Sequence, residues 1–265
     1  MVPTQIESEL DQETLRSVSQ VLHQESRHYV APFWWGTNPF DANSVCANGS
    51  CFFVEIGDTR FGVTAFHVIA DYRRCLEAHP STRLVVRNVD LTDWEERFID
   101  GNEECDVATF RVTDAEFRAI DIRPLRCEAS MWPPPPPMVG RGVFFARYPE
   151  VNRWVLRRDS VEFLQQSNGL VAANVETDEI EVVVDPAHLR SSYGHPPTPT
   201  TKNLSGYSGA PLLVVSAALG PPFWLGGVII RQMKAQTEDR PTHIWARRPG
   251  CVLPNGSVRK PRYVL

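Results

Sequence analysis

The sequence predicts an all-β protein of antiparallel barrels or sandwiches, and three observations carry that expectation. More than ten short segments rich in Val, Ile and Phe recur between turn residues, while few helical patterns appear. Several segments alternate apolar with polar residues, Glu179-Ile180-Glu181-Val182 among them, as half-buried strands do. The 22 prolines in 265 residues exceed average usage and favour short elements over long helices.

Taken in order, residues 4–28 read as a helix. Thr4 can cap it, Glu7 follows three residues later, and Ile6, Leu10, Leu15, Val18 and Leu22 fall roughly on one face. This arm is expected to pack either on its own barrel or on a protein partner. After Tyr29 the pattern changes to strands. Segments 51–56 and 60–66 flank Gly57-Asp58-Thr59, a hairpin signature. Further strands are expected at 83–89, 107–112, 142–147, 153–157, 160–164, 169–175, 179–184, 211–216, 223–231 and 242–246. Five consecutive prolines, Pro133 to Pro137, follow Trp132. Such a run is a stiff polyproline II spacer of roughly 15 Å, at about 3.1 Å per residue. It divides the strands almost evenly, so a tether between two halves is preferred over a ligand for proline-binding domains. A second proline-rich loop spans 195–199.

Composition narrows the function classes. The net charge is −5 and no basic run occurs, so there is no electrostatic case for nucleic-acid binding. No stretch approaches the roughly 18 apolar residues of a membrane span. The first residues carry neither a basic n-region nor an apolar h-region, so a soluble, cytoplasmic protein is expected. Six cysteines (Cys46, Cys51, Cys75, Cys105, Cys127, Cys251) have no zinc-like spacing, and most are expected to be reduced, small core residues. Neither a metal nor a cofactor is expected.

The segment Gly206-Tyr207-Ser208-Gly209-Ala210-Pro211, followed by an apolar strand, carries the chemistry. A serine hydroxyl attacks only when a base takes its proton and donors stabilise the oxyanion. Glycine two residues earlier lets the backbone turn two N–H groups into one concavity. Alone, this segment also fits a simple tight turn. His67, expected at the end of the apolar strand 60–66 with a short helix over 70–75 after it, reads alone as a core histidine. Asp106, at the start of strand 107–112, reads alone as a turn residue. Together they occur in the order His, Asp, Ser, which is the chymotrypsin order.

These residues resemble the chymotrypsin-like serine peptidases. Thr64-Ala65-Phe66-His67 looks like the family's Thr-Ala-Ala-His, Asp106-Val107-Ala108 like Asp-Ile-Ala, and Gly206 to Pro211 like Gly-Asp-Ser-Gly-Gly-Pro. The segments 49–53, 142–149 and 225–229 are similar to strands that flank those motifs. The resemblance covers roughly 45–235 and is nearest to bacterial, disulfide-free members. It implies two six-stranded antiparallel Greek-key barrels with a cleft between them, preceded here by the helical arm. The expected division is an arm over 1–30, a first barrel over 31–127, a polyproline linker over 128–140, a second barrel over 141–250 and a tail over 251–265. It further implies a polypeptide substrate, Ser208 as nucleophile, His67 as general base and Asp106 orienting it. The N–H groups of Gly206 and Ser208 would form the oxyanion hole.

Departures from the family pattern matter too. Tyr207 stands where zymogen-type members carry Asp, so activation by N-terminal cleavage is not expected. Val68 stands where secreted members carry a disulfide cysteine, leaving Cys51 without that partner. Lys202, six residues before Ser208, matches the base of the specificity pocket, where it would repel basic P1 residues; a solvent-facing lysine is the equal alternative. Two rivals remain. The same fold can serve as a silent or partner-gated binding module. An α/β-hydrolase elbow would use Ser208 with Asp239 and His243, but alternating strands and long helices are missing and the Asp-to-His spacing is short.

Overall fold

The computed structural model describes residues 20–37, 46–148, 153–157, 160–163, 165–184, 190–191, 206–216, 222–233 and 242–260. The first half contains β1 (Ala31–Gly36), β2 (Cys46–Ile56), β3 (Thr59–Thr64), α1 (Phe66–Ala78), β4 (Arg83–Val86) and β5 (Val89–Asp90). There follow α2 (Trp94–Arg97), β6 (Phe98–Asn102), β7 (Val107–Phe110), α3 (Asp114–Ile120) and β8 (Leu125–Cys127). The second half contains β9 (Gly142–Arg147), β10 (Arg153–Arg157), β11 (Ser160–Phe163), β12 (Gln166–Val175) and β13 (Glu179–Val184). It ends with β14 (Arg190–Ser191), β15 (Pro211–Val215), β16 (Phe223–Met233) and β17 (Thr242–Arg247).

Hydrogen bonding groups these strands into two main sheets. In the second half β9, β15, β16, β17, β13 and β12 form a ring, closed by the β12–β13 pairing, with every pair antiparallel. This is a six-stranded antiparallel barrel. In the first half eight strands pair along β5-β4-β1-β2-β3-β7-β6, with β8 added parallel to β2. That path does not close among the described residues, so one closed barrel and a second sheet stand where two six-stranded barrels are expected. The strand β8 also brings a parallel pairing to an otherwise antiparallel set.

Strand β2 shows why the two halves hold together. Its apolar run is continuous because both its faces are buried. Cys51 and Phe53 point into the core of the first half, against Phe33, Ile69 and Phe110. Phe52, Val54 and Ile56 point the other way, into a shared core with Leu213, Phe223, Leu225 and Val228 of the barrel. A third core of Val143, Phe145, Leu212, Ile229 and Ile244 fills the barrel itself. Each fully buried Phe or Val contributes roughly 1.5–3 kcal/mol by leaving water, so a seam of this kind fixes the halves against one another.

Local signals account for the connections. Ile56 pairs with Thr59, so Gly57-Asp58 is a two-residue hairpin, and Gly57 takes the positive φ of +57° such turns need. Helix α3 begins with a reciprocal capping box between Thr113 and Glu116, a Thr-x-x-Glu signal present in the sequence. Between β8 and β9, the Trp132 indole donates to Val252 O at 2.7 Å, and Trp224 on β16 donates to Pro135 O at 3.2 Å. The proline run thus lies against the second half. Of the expected N-terminal helix, 20–26 is helical, Leu22 packs on the shared core and His23 meets Phe144 edge to face. Residues 4–19 lie outside the described residues, as do Lys202, Asp239 and the loop at 195–199. Among the described residues, no helix is long and apolar enough to cross a membrane.

Candidate active site

His67 sits in the first turn of α1, which runs from Phe66 to Ala78. It therefore begins a helix instead of ending a strand, and the helix is longer than the expected 70–75. The first N–H groups of a helix have no partner within it. Ala65, at the cap, has no side chain that can accept, and the carboxylate of Asp106 does so instead: the His67 N–H donates to Asp106 Oδ1 at 2.9 Å. The second carboxylate oxygen, Oδ2, lies 2.7 Å from His67 Nδ1. One carboxylate thus holds both the backbone and the ring of the histidine, which fixes Nδ1 as the protonated nitrogen and leaves Nε2 as the basic one. The ring remains accessible, with its side chain 43% exposed against 22% for Asp106.

Asp106 reaches this position from a tight turn between β6 and β7. Its φ is +52°, a left-handed conformation that Asp tolerates better than most residues. The turn is tied by Cys105 N–H donating to Asn102 Oδ1 at 3.0 Å and Asp106 N–H donating to Glu103 O at 3.1 Å. Burial alone would depress the pKa of His67. The hydrogen bond and charge of Asp106, with the charge of Asp71, outweigh that effect and raise it above the ordinary histidine value.

Ser208 comes from the other half, in the turn before β15. The Ser50 N–H, on β2, donates to Ser208 O at 2.8 Å, and the Ser50 hydroxyl donates to Gly206 O at 2.7 Å. Thr64, at the end of β3, donates to Ser50 O at 2.8 Å. The Ser208 turn is therefore fastened to the strand end that leads into His67. Two glycines permit the approach. Gly209 has φ +84° and Gly206 φ +93°; a Cβ on the former would overlap Ser50 O and the Thr64 hydroxyl, and on the latter Tyr148 O. At Gly49 the same added atom would stand 2.9 Å from Val68 Cγ2 and 3.1 Å from Ser208 O, so Ser208 lies beside the residue that follows His67. Ser208 is partly exposed, and no hydrogen bond among the described residues uses its N–H or that of Gly206.

The structure therefore joins His67 to Asp106 directly and brings Ser208 to the same seam. No direct bond from the Ser208 hydroxyl to His67 occurs among the described residues. Tyr207 is buried with its ring 5.4 Å from that of Phe145, inside the barrel core. His243 has Nδ1 2.6 Å from Glu181 Oε1 and stacks on Trp245, so it is engaged on the barrel strands. Among the described residues, no three His, Cys, Asp or Glu side chains are arranged to hold a metal ion. Cys51, Cys75, Cys105, Cys127 and Cys251 are free thiols, and burial raises the pKa of Cys51 steeply. Sequence reasoning missed Ser50 as an anchor of the Ser208 turn, because no local pattern marks a strand serine whose partners lie more than 150 residues away.

The chain matches no protein-family model, and no curated protein matches it. Among solved structures it is similar to a chain from work on how aromatic interactions drive the coupled folding and binding of the intrinsically disordered Sesbania mosaic virus VPg protein. The TM-score there is 0.43 at 12% identity, over 82% of this chain and 91% of that one. It is also similar to the serine endoprotease from Yersinia pestis, with a TM-score of 0.46 at 13% identity, over 87% of this chain and 61% of that one.

Proposed function

We propose that this chain is a chymotrypsin-type serine endopeptidase that cleaves peptide bonds through an acyl-enzyme on Ser208. The observation that carries this reading is the double grip of Asp106 on His67, which presents a basic Nε2 from a partly exposed ring. In the reaction His67 takes the Ser208 proton as the hydroxyl attacks the scissile carbonyl, then returns it to the leaving amine. Asp106 holds the tautomer and stabilises the imidazolium. The N–H groups of Gly206 and Ser208, which donate to no partner among the described residues, receive the oxyanion, and such donors are worth roughly 3–4 kcal/mol each in the transition state. The burial of Tyr207 in the barrel core leaves no carboxylate at that position for a newly freed N-terminus, which supports an enzyme that needs no N-terminal cleavage.

A second reading, a partner-gated site on the same fold, draws on the missing bond between Ser208 and His67; catalytic hydrogen bonds are often long in unliganded enzymes and tighten with substrate. A fluorophosphonate probe separates the two. The peptidase reading expects wild type to label and Ser208→Ala not to. Wild type that stays unlabelled favours gating. A peptide library varied at P1, incubated with both proteins, then reads the specificity, including the contribution of Lys202.

A further inference from the structure

Arg247 lies at the end of β17, in the barrel, and its side chain is only 11% exposed. Its guanidinium leaves the barrel to reach the first half. Nε donates to Cys105 O at 3.0 Å, and one terminal nitrogen donates to Glu104 O at 3.3 Å. The same nitrogen lies 3.0 Å from Glu179 Oε1, on the neighbouring strand β13. Those two carbonyls belong to the residues immediately before Asp106. A buried guanidinium is costly unless its donors are met, and here a carboxylate and two carbonyls meet them in a planar fork.

We propose that Arg247 is a positioning residue for the site: it clamps the turn that delivers Asp106 to His67, making alignment of the base depend on the second half as well as the first. The turn needs such a restraint. Asp106 holds a positive φ of +52°, and residues in that region persist where the surroundings over-determine them. The bonds within the turn, from Cys105 N–H to Asn102 and from Asp106 N–H to Glu103, tie it to itself and to the end of β6, all within the first half. Arg247 supplies a fixed point from a closed barrel. The C-terminal segment adds others nearby: Cys105 Sγ donates to Arg259 O at 3.1 Å, and Lys260 lies 3.2 Å from Glu104. Among the described residues, Arg247 alone reaches both carbonyls that lead into Asp106. The two halves thus meet twice around the chemistry, with Ser50 of the first half holding the Ser208 turn and Arg247 of the second holding the Asp106 turn.

This inference rests on the peptidase reading for its consequence in catalysis, though the clamp on Asp106 is testable without it. Arg247→Met removes all the donors at similar length, Arg247→Lys keeps a cation without the fork, and Arg231→Met is the control. Arg231 also pairs with Glu179 but does not contact the Asp106 turn among the described residues. The readouts are the NMR titration of His67, the rate of fluorophosphonate labelling, and the thermal midpoint. Asp106 and Asp71 are the charges that raise the His67 pKa, so a displaced Asp106 must lower it. Arg247→Met is expected to lower the His67 pKa and slow labelling about 10- to 100-fold, the scale of a small misplacement of a catalytic group. Arg247→Lys should fall between, and Arg231→Met should match wild type in both. An unchanged His67 titration in a folded Arg247→Met or Arg247→Lys protein overturns the proposal. Should wild type itself fail to label, the peptidase reading fails, and the titration still decides whether Arg247 positions Asp106.

Discussion

Replacing Asp106 with Asn separates the orienting role proposed for this residue from its role in the fold. Asp106 accepts twice from His67, through Oδ1 from the backbone N–H at 2.9 Å and through Oδ2 from Nδ1 at 2.7 Å. Asn is nearly the same shape, and its one carbonyl oxygen can continue to cap the helix. Its amide NH2 then faces Nδ1, which must become an acceptor. The proton moves to Nε2, and the ring nitrogen available to Ser208 can no longer take a proton. In serine peptidases that tautomer change lowers turnover by roughly 10,000-fold. At about 1.4 kcal/mol per tenfold, this corresponds to about 5 kcal/mol of transition-state stabilisation. The cost to the fold should be far smaller. Both side chains are partly exposed, 43% and 22%, so the charge of the pair is screened and its loss is worth about 1 kcal/mol. Asp106→Asn is therefore expected to melt within a few degrees of wild type while losing nearly all fluorophosphonate labelling at Ser208, mapped by peptide mass spectrometry. Labelling within about tenfold of wild type would refute the assignment of Asp106 as the residue that sets the histidine tautomer.

Three further predictions follow from the same geometry. Ser50→Ala deletes the buried bond to Gly206 O and leaves that carbonyl unsatisfied, which should cost about 1–3 kcal/mol in denaturant unfolding and slow labelling as the Ser208 turn loosens. Gly209→Ala places a methyl into Ser50 O and the Thr64 hydroxyl at φ +84°, so it should destabilise more than Ser50→Ala and abolish labelling; a wild-type melt would show that the turn is not fastened there. The pKa of His67 lies above the ordinary value, so the folded chain favours the protonated ring. The stability this gives is fully present below the unfolded value near 6.5 and is lost as pH rises through the folded value. Labelling needs the neutral ring and runs the opposite way, rising through that same raised pKa. Asp71→Asn should move this acid limb to lower pH, because it removes one of the charges that raise it.

Much of the architecture is legible in the sequence because strands and turns are local. The segments at 142–147, 153–157 and 179–184 coincide with β9, β10 and β13, and Gly57 marks its hairpin by the conformation only glycine adopts freely. Alternation at Glu179-Ile180-Glu181-Val182 reads correctly because one face of β13 is buried in the barrel and the other is not. Strand β1, with all six residues buried, carries no alternation to read, and β8 is three residues long and paired in parallel. Closure of a sheet is a further step removed, since it depends on which strands meet across the chain. The same boundary runs through the site. The glycines around Ser208 and the order His67, Asp106, Ser208 are visible because each motif is continuous. What holds these motifs in register is not: Ser50 meets Gly206 across 156 residues, and Arg247 meets Cys105 across 142. A strand serine and a strand arginine carry no signature of a partner in the other half, because their partners are backbone carbonyls, which every residue possesses. The chemistry proposed for this site is written in short motifs, and its assembly in contacts whose identity only the folded chain determines.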